Sequence, residues 1–112
     1  MTKSERQIMD LLWKSEQPLS CAEIVELSED KTWKDSYVHS LIKSLMKKGI
    51  VKIQTFELIS RSYARKFAPA MSKSEYAAKR IIDFLSPKEA KLTIKILESQ
   101  LCSMTELQNE RK

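Results

Sequence analysis

The sequence predicts a mainly α-helical chain with one small β-hairpin, arranged as an N-terminal domain over residues 1–70 and a helical region over residues 71–112. Three observations lead there. Hydroxyl residues followed three positions later by glutamate recur along the chain, and that spacing marks helix starts. Apolar residues repeat at three- and four-residue intervals over most of the 112 residues, which is the period of a helix with one buried face. Only after Gly49, the single glycine, does the pattern move to alternation, the period of a strand.

Thr2 with Glu5 opens a first helix expected over residues 3–14, burying Ile8, Met9, Leu11 and Leu12 with Trp13 at its edge. Pro18 breaks the chain. Ser20 with Glu23 opens a short second helix over residues 21–27 that offers Ile24, Val25 and Leu27 to the same core, and the polar residues 28–31 make the next turn. A third helix lies between Trp33 and Gly49, where Val38, Leu41, Ile42 and Leu45 form one apolar stripe. It ends at Gly49, because a left-handed glycine behind Lys47 and Lys48 suits a helix C-terminus.

Residues 50–56 and 62–67 then read as two strands joined by a turn near residues 57–60, although that turn lacks the glycine or asparagine a hairpin prefers. Pro69 ends the hairpin. Ser72 with Glu75 and Ser86 with Glu89 open further helices, the latter strengthened by Pro87 at the first helical position, and Ser103 with Glu106 forms a weaker fifth start. Tyr76, Ala77, Ile81, Ile82, Phe84 and Leu85 line one of these helices. Ala90, Leu92, Ile94, Ile96, Leu97 and Leu101 line the next, and Leu107 is the main apolar residue of a frayed tail. Two or three helices cannot bury stripes that wide on themselves, so Tyr76, Ile81, Ile82, Leu85, Leu92, Ile96, Leu97 and Leu101 are expected to form a dimerisation surface.

Three helices with a short second one, followed by a hairpin, make a winged helix-turn-helix. The side of the third helix away from its apolar stripe carries Ser36, Tyr37, His39, Ser40, Lys43, Ser44 and Lys47. Hydroxyls and an imidazole can hydrogen-bond base edges, and lysines neutralise phosphates. Lys52, Arg61, Arg65 and Lys66 give the hairpin the charge to lie against a phosphate backbone. The net charge of +5 is unevenly spread: residues 1–30 carry 3 basic and 7 acidic groups, residues 31–66 carry 9 and 2, and residues 67–112 carry 8 and 6. The positive charge therefore sits on the third helix and hairpin, as a polyanion-binding face requires.

Other chemistry finds little support. One histidine, no Ser-His-Asp set, no glycine-rich phosphate loop and no carboxylate cluster leave no base or nucleophile to assign, so no enzyme and no cofactor are expected. Cys21 and Cys102 belong to no C-x-x-C pair and are expected to be reduced, half-buried helix residues rather than metal ligands. There is no apolar run long enough to insert in a membrane and no signal-peptide pattern at the N-terminus, which points to the cytoplasm. The competing reading is a winged-helix module whose same surface meets protein without specific DNA binding.

Several of these residues resemble the BlaI/MecI/CopY family of bacterial penicillinase-type repressors. The resemblance runs through Glu5, Ile8-Met9 and Leu12-Trp13, then Trp33, then Val38, Ser40-Leu41-Ile42, Leu45 and Lys47-Lys48-Gly49, then Phe67-Ala68-Pro69 and Glu75-Tyr76. It implies a homodimeric repressor that binds a palindromic double-stranded DNA operator through the third helix and the basic wing. A regulatory protease or membrane sensor would be a further partner. Tyr37 and Ser44 stand where the family usually has threonine and arginine, so the family's operator sequence does not carry over. The C-x-C pairs of copper-responsive members and the Asn-Phe bond cleaved in penicillin-responsive members are both absent.

Overall fold

The computed structural model describes the backbone of residues 1–110 and the side chains of residues 1–105. Its elements, in order, are α1 (Lys3–Lys14), α2 (Cys21–Leu27), a 3-10 turn (Asp35–Tyr37), α3 (Val38–Lys47), β1 (Val51–Ile59), β2 (Ser62–Pro69), α4 (Lys73–Phe84) and α5 (Pro87–Glu110). This is a winged helix-turn-helix followed by two helices. The chain forms two compact units, Met1–Lys73 and Ser74–Lys112.

In the first unit, both expected capping boxes close. Thr2 Oγ1 accepts from Glu5 N while Glu5 Oε1 accepts from Thr2 N, and Ser20 and Glu23 repeat the arrangement at α2. The helices bury Ile8, Met9 and Leu12 from α1, Ile24 from α2, and Val38, Ile42 and Leu45 from α3. Each such side chain taken out of water contributes about 1.5–3 kcal/mol. Leu27, expected in this core, is 51% exposed. The α2 helix is only seven residues long, and its last turn already leaves the core.

The third helix starts later than the sequence suggests. Trp33 lies before it, 6% exposed, with Lys31 Nζ 5.6 Å from its ring centroid and Lys31 paired to Asp35 at 2.6 Å. The burial of Trp33 and hydrogen bonds from Thr32 N and Oγ1 to Gln7 Oε1 hold residues 31–35 against α1, and the chain enters α3 through the 3-10 turn. At the other end Gly49 has φ +76°, its N–H donates to Met46 O and the N–H of Ile50 donates to Leu45 O. That pair of bonds is a Schellman motif, which satisfies carbonyls the helix end leaves open. A methyl group at Gly49 would meet nothing within 4 Å, so the positive φ alone calls for glycine.

The hairpin is longer than its hydrophobic pattern implied. β1 continues through Glu57, Leu58 and Ile59, and the connection is the two residues Ser60 and Arg61, with Ile59 opposite Ser62. Ser60 has φ +56°, a left-handed conformation that a two-residue hairpin turn usually gives to glycine or asparagine. A register shift between Ile53 and Thr55 leaves Gln54 as a bulge. Leu19 adds an antiparallel bridge, exchanging hydrogen bonds with Phe67 at 2.9 and 2.7 Å. Trp13 Nε1 donates to Met71 O at 3.0 Å, tying α1 to the chain beyond β2.

In the second unit, the Ser86–Glu89 capping box opens α5 at Pro87. The fifth start does not form: α5 runs on through Ser103, whose hydroxyl bonds back to Ser99 O at 3.3 Å. The side chains of Glu106 and Leu107 lie outside the described residues. Cys21 is half-buried as expected, but Cys102 is exposed. None of the described residues of α4 or α5 is buried in a single chain; Tyr76, Ile81 and Leu85 are half-exposed, and Ile82, Phe84, Leu92, Ile96, Leu97 and Leu101 are exposed.

Candidate nucleic-acid interface

With Val38, Ile42 and Leu45 turned inward, helical geometry leaves Ser40, Lys43 and Lys47 as an outer stripe of α3 at spacings of three and four, and Ser36 of the 3-10 turn is exposed just ahead of it. His39 lies beside that stripe, and Tyr37, at the junction of the 3-10 turn and α3, is 53% exposed. All six side chains face solvent. Ten residues make α3 about 15 Å long, enough to cross a major groove about 12 Å wide.

The wing spreads its cations along its length. Lys52 pairs with Ala68 near the base, Arg65 with Phe56 in the middle, and Arg61 occupies the turn. All three cations are exposed. His39 from α3 and Arg65 from β2 both line a groove of about 630 Å³, together with Ser20 at the cap of α2, Cys21, Ala22 and Val25 of α2 and Ile59 and Ala64 of the wing. The Arg65 charge works against burial on the Cys21 thiol; burial is the larger influence and pushes that thiol up.

Two expected contact residues are used inside the protein instead. Ser44 Oγ donates to Glu5 Oε2 at 3.0 Å, so its hydroxyl points toward the start of α1 and not outward. Lys66 is held between Glu23 of α2 and Glu57 of β1, the latter at 2.6 Å, with its side chain only 12% exposed. The hydrogen bonds from Glu23 and then Glu57 raise the Lys66 ammonium above its ordinary value, and Lys66 in turn lowers Glu23. Both departures have one cause: one-dimensional spacing places a residue on a helix or strand but cannot show which carboxylate the tertiary fold brings to it. Lys66 thus pins the wing to α2.

Glu5 makes a third internal pairing. Its carboxylate is 2% exposed and accepts from Lys48 Nζ at 2.8 and 2.9 Å, from Ser44 Oγ and from Thr2 N. Burial alone would raise this carboxyl. The hydrogen bonds from Lys48, Thr2 and Ser44 outweigh it and hold the group at about 2. One acid therefore caps α1 and clamps the last turn of α3.

Sequence reasoning passed over Lys34, exposed just before the 3-10 turn, and the apolar residues of the wing Phe56, Leu58 and Tyr63, which are all exposed, with Leu58 paired to Tyr63. The lysine was legible in the basic 31–66 segment. The Leu58–Tyr63 pair was hidden by placing the turn too early, which cut Leu58 out of the strand.

No curated protein matches the chain at a significant level. Residues 1–109 match the penicillinase repressor family, the BlaI/MecI family. Among the described residues no helix is long and apolar enough to cross a membrane. A match over nearly the whole length, on a fold with an outward hydroxyl and lysine stripe beside a wing, leads to one conclusion: this chain belongs to the penicillinase repressor family, whose members are DNA-binding transcriptional repressors.

Proposed function

We propose that the protein acts as a homodimer that represses transcription by seating two copies of α3 in successive major grooves of a palindromic operator. Half-sites would lie about 10 base pairs apart, or a multiple of that. The observation that carries this reading is the solvent-facing set of Ser40, Lys43 and Lys47, with His39 beside them, on a helix whose other side is core, continued by Ser36 and Tyr37 of the preceding 3-10 turn. Ser36, Tyr37, His39 and Ser40 are the base-edge or adjacent contacts. Lys43, Lys47, Lys52, Arg61 and Arg65 contact phosphate. Ser44 and Lys66 are not assigned to DNA, because Glu5, Glu23 and Glu57 occupy them.

Dimerisation is supported by the second unit, where Phe84 is 85% exposed and Ile82, Leu92, Leu97 and Leu101 are all open to solvent. An apolar surface of this extent is normally covered by association. A second copy covers it in this reading, and a regulatory protease or sensor would act on the same region.

The test is a fluorescence-anisotropy titration at several salt concentrations, with random duplex and with an operator selected from a random pool. Lys43→Ala should weaken both and flatten the slope of log affinity against log salt by about one. Tyr37→Ala or Ser40→Ala should instead narrow the gap between operator and random duplex. Leu97→Glu should leave a monomer in sedimentation equilibrium. Binding to random duplex weaker than roughly 10⁻⁴ M at low salt would overturn the proposal and favour a protein-binding role for the same surface.

A further inference from the structure

We infer that the groove between α2, the start of α3 and the wing is a binding site for a small apolar organic anion, and that its occupancy opposes DNA binding. The regulatory half of this inference rests on the proposed repressor function; the site itself does not.

The groove encloses about 630 Å³, within the range of roughly 300–1,000 Å³ that small-molecule sites occupy. Three separate elements wall it, so its shape belongs to the folded domain and not to one helix face. Ala22, Val25, Val38, Ile59, Ala64 and Phe67 supply the apolar lining. A sugar-phosphate backbone gains nothing from such walls, whereas a short hydrocarbon or aromatic body does.

Charge selects the other end of the ligand. The groove's one carboxylate, Asp35, is already ion-paired to Lys31 at 2.6 Å. Lys66, the nearest lysine along β2, is committed to Glu23 and Glu57. Arg65 remains as a lining cation that makes no ion pair among the described residues, and His39 in the same lining offers a ring nitrogen. A guanidinium at the rim of an apolar groove suits a carboxylate or sulfonate attached to an apolar body. The expected ligand class is therefore an amphiphilic monoanion of modest size.

Occupancy reaches DNA binding through residues already placed. His39 and Arg65 belong both to the groove lining and to the proposed DNA face, so an anion bound to Arg65 takes the cation that a phosphate would take. Filling the space also fixes the distance between α3 and the wing. By linkage, DNA must then weaken the ligand by the same factor as the ligand weakens DNA.

Octanoate and its neutral analogue octanol are the probes, titrated into the ¹⁵N-labelled full chain and followed by amide chemical shifts. Octanoate should give saturable shifts at Cys21, Ala22, Val25, His39, Ala64 and Arg65, and should bind roughly tenfold more tightly than octanol, the worth of about one charge-assisted hydrogen bond. Arg65→Gln should erase that preference. Ala22→Phe, at an exposed helical position, should fill the groove and abolish the shifts while the spectrum stays folded. Saturating octanoate should weaken binding to random duplex at least fivefold. Shifts confined to residues 74–105, equal affinity for octanol, or shifts untouched by Ala22→Phe would overturn the site. Groove binding with duplex affinity unchanged would overturn its regulatory role. A chain that binds octanoate in the groove but no duplex would sink the repressor reading while leaving the site standing.

Discussion

Replacing Glu5 by glutamine tests the internal wiring of the first unit most directly. The substitution keeps the side-chain shape and an oxygen to cap Thr2 N, but removes the charge that Lys48 and Ser44 address. A carboxyl held at about 2 against an ordinary 4.5 binds its proton more weakly in the folded chain than in the unfolded one. It therefore stabilises the fold above the unfolded value, and the contribution fades as pH falls through 4.5 toward 2. Linkage gives about 3 kcal/mol at pH 7, about 1.5 at pH 3 and below about 0.5 at pH 2. Lys48 is 44% exposed, so once freed it rehydrates, and the loss in Glu5→Gln should fall at about 2–3 kcal/mol and not at the larger cost of stranding a buried charge. For a unit of this size that corresponds to a fall of roughly 10–20 °C in Tm. Urea unfolding of both proteins at equal protomer concentration, at pH 7, 4, 3 and 2, measures the difference. The two curves should converge in acid. A gap that stays constant with pH, or no gap at pH 7, would refute the argument that the carboxylate charge is what clamps α1 to α3.

Other perturbations have smaller but equally definite outcomes. Gly49→Ala should cost about 1–2 kcal/mol, since nothing crowds the added methyl and only the left-handed backbone opposes it; a neutral result in urea unfolding would contradict the Schellman geometry. Ser60→Gly should stabilise by about 0.5–1 kcal/mol, the relief of a left-handed serine less the added chain entropy of glycine. Lys66→Ala should leave the salt slope of duplex binding unchanged where Lys43→Ala flattens it, because the Lys66 charge is already spent on Glu23 and Glu57; equal slopes changes in both variants would mean that Lys66 releases its acids on DNA. Lowering the pH through the carboxylate range should weaken the attachment of the wing to α2, since Glu23 titrates below its ordinary value and its pairing is lost as it protonates; hydrogen exchange at the β2 amides reports it.

What the sequence made legible was what local chemistry decides. The bounds of α1 and α2 follow from hydroxyl–glutamate boxes whose two hydrogen bonds both form, and the end of α3 follows from the only glycine. The hairpin tip was misplaced because the signal for a turn is a residue that tolerates positive φ, and Ser60 adopts that conformation without announcing it. Leu27 illustrates a different limit: a helix of seven residues keeps its periodicity while its final turn runs past the edge of the core it packs on. The outer stripe of α3 was readable because helix periodicity alone separates it from Val38, Ile42 and Leu45. The internal pairings of Ser44 and Lys66 were not legible because their partners, Glu5 and Glu23, lie 39 and 43 residues away, and no local rule links them.

The same long-range pairs change how the charge of the proposed DNA face should be counted. Residues 31–66 hold nine basic side chains, but Lys31 is paired with Asp35, Lys48 with Glu5 and Lys66 with two acids. Six remain without an ion pair among the described residues: Lys34, Lys43, Lys47, Lys52, Arg61 and Arg65. At about 0.9 counterions released per phosphate contact, these give at most about five per protomer and about eleven for a dimer. The three paired cations do separate work, locking the helix entrance, the end of α3 and the wing into the arrangement that presents the other six. If charge on this segment acted only through its total, Lys48→Ala and Lys43→Ala would flatten the salt slope alike. The proposed DNA face expects the first to cost folding stability with an unchanged slope and the second to cost about one unit of slope with little change in stability, so the two measurements on two variants separate the scaffold from the proposed reader.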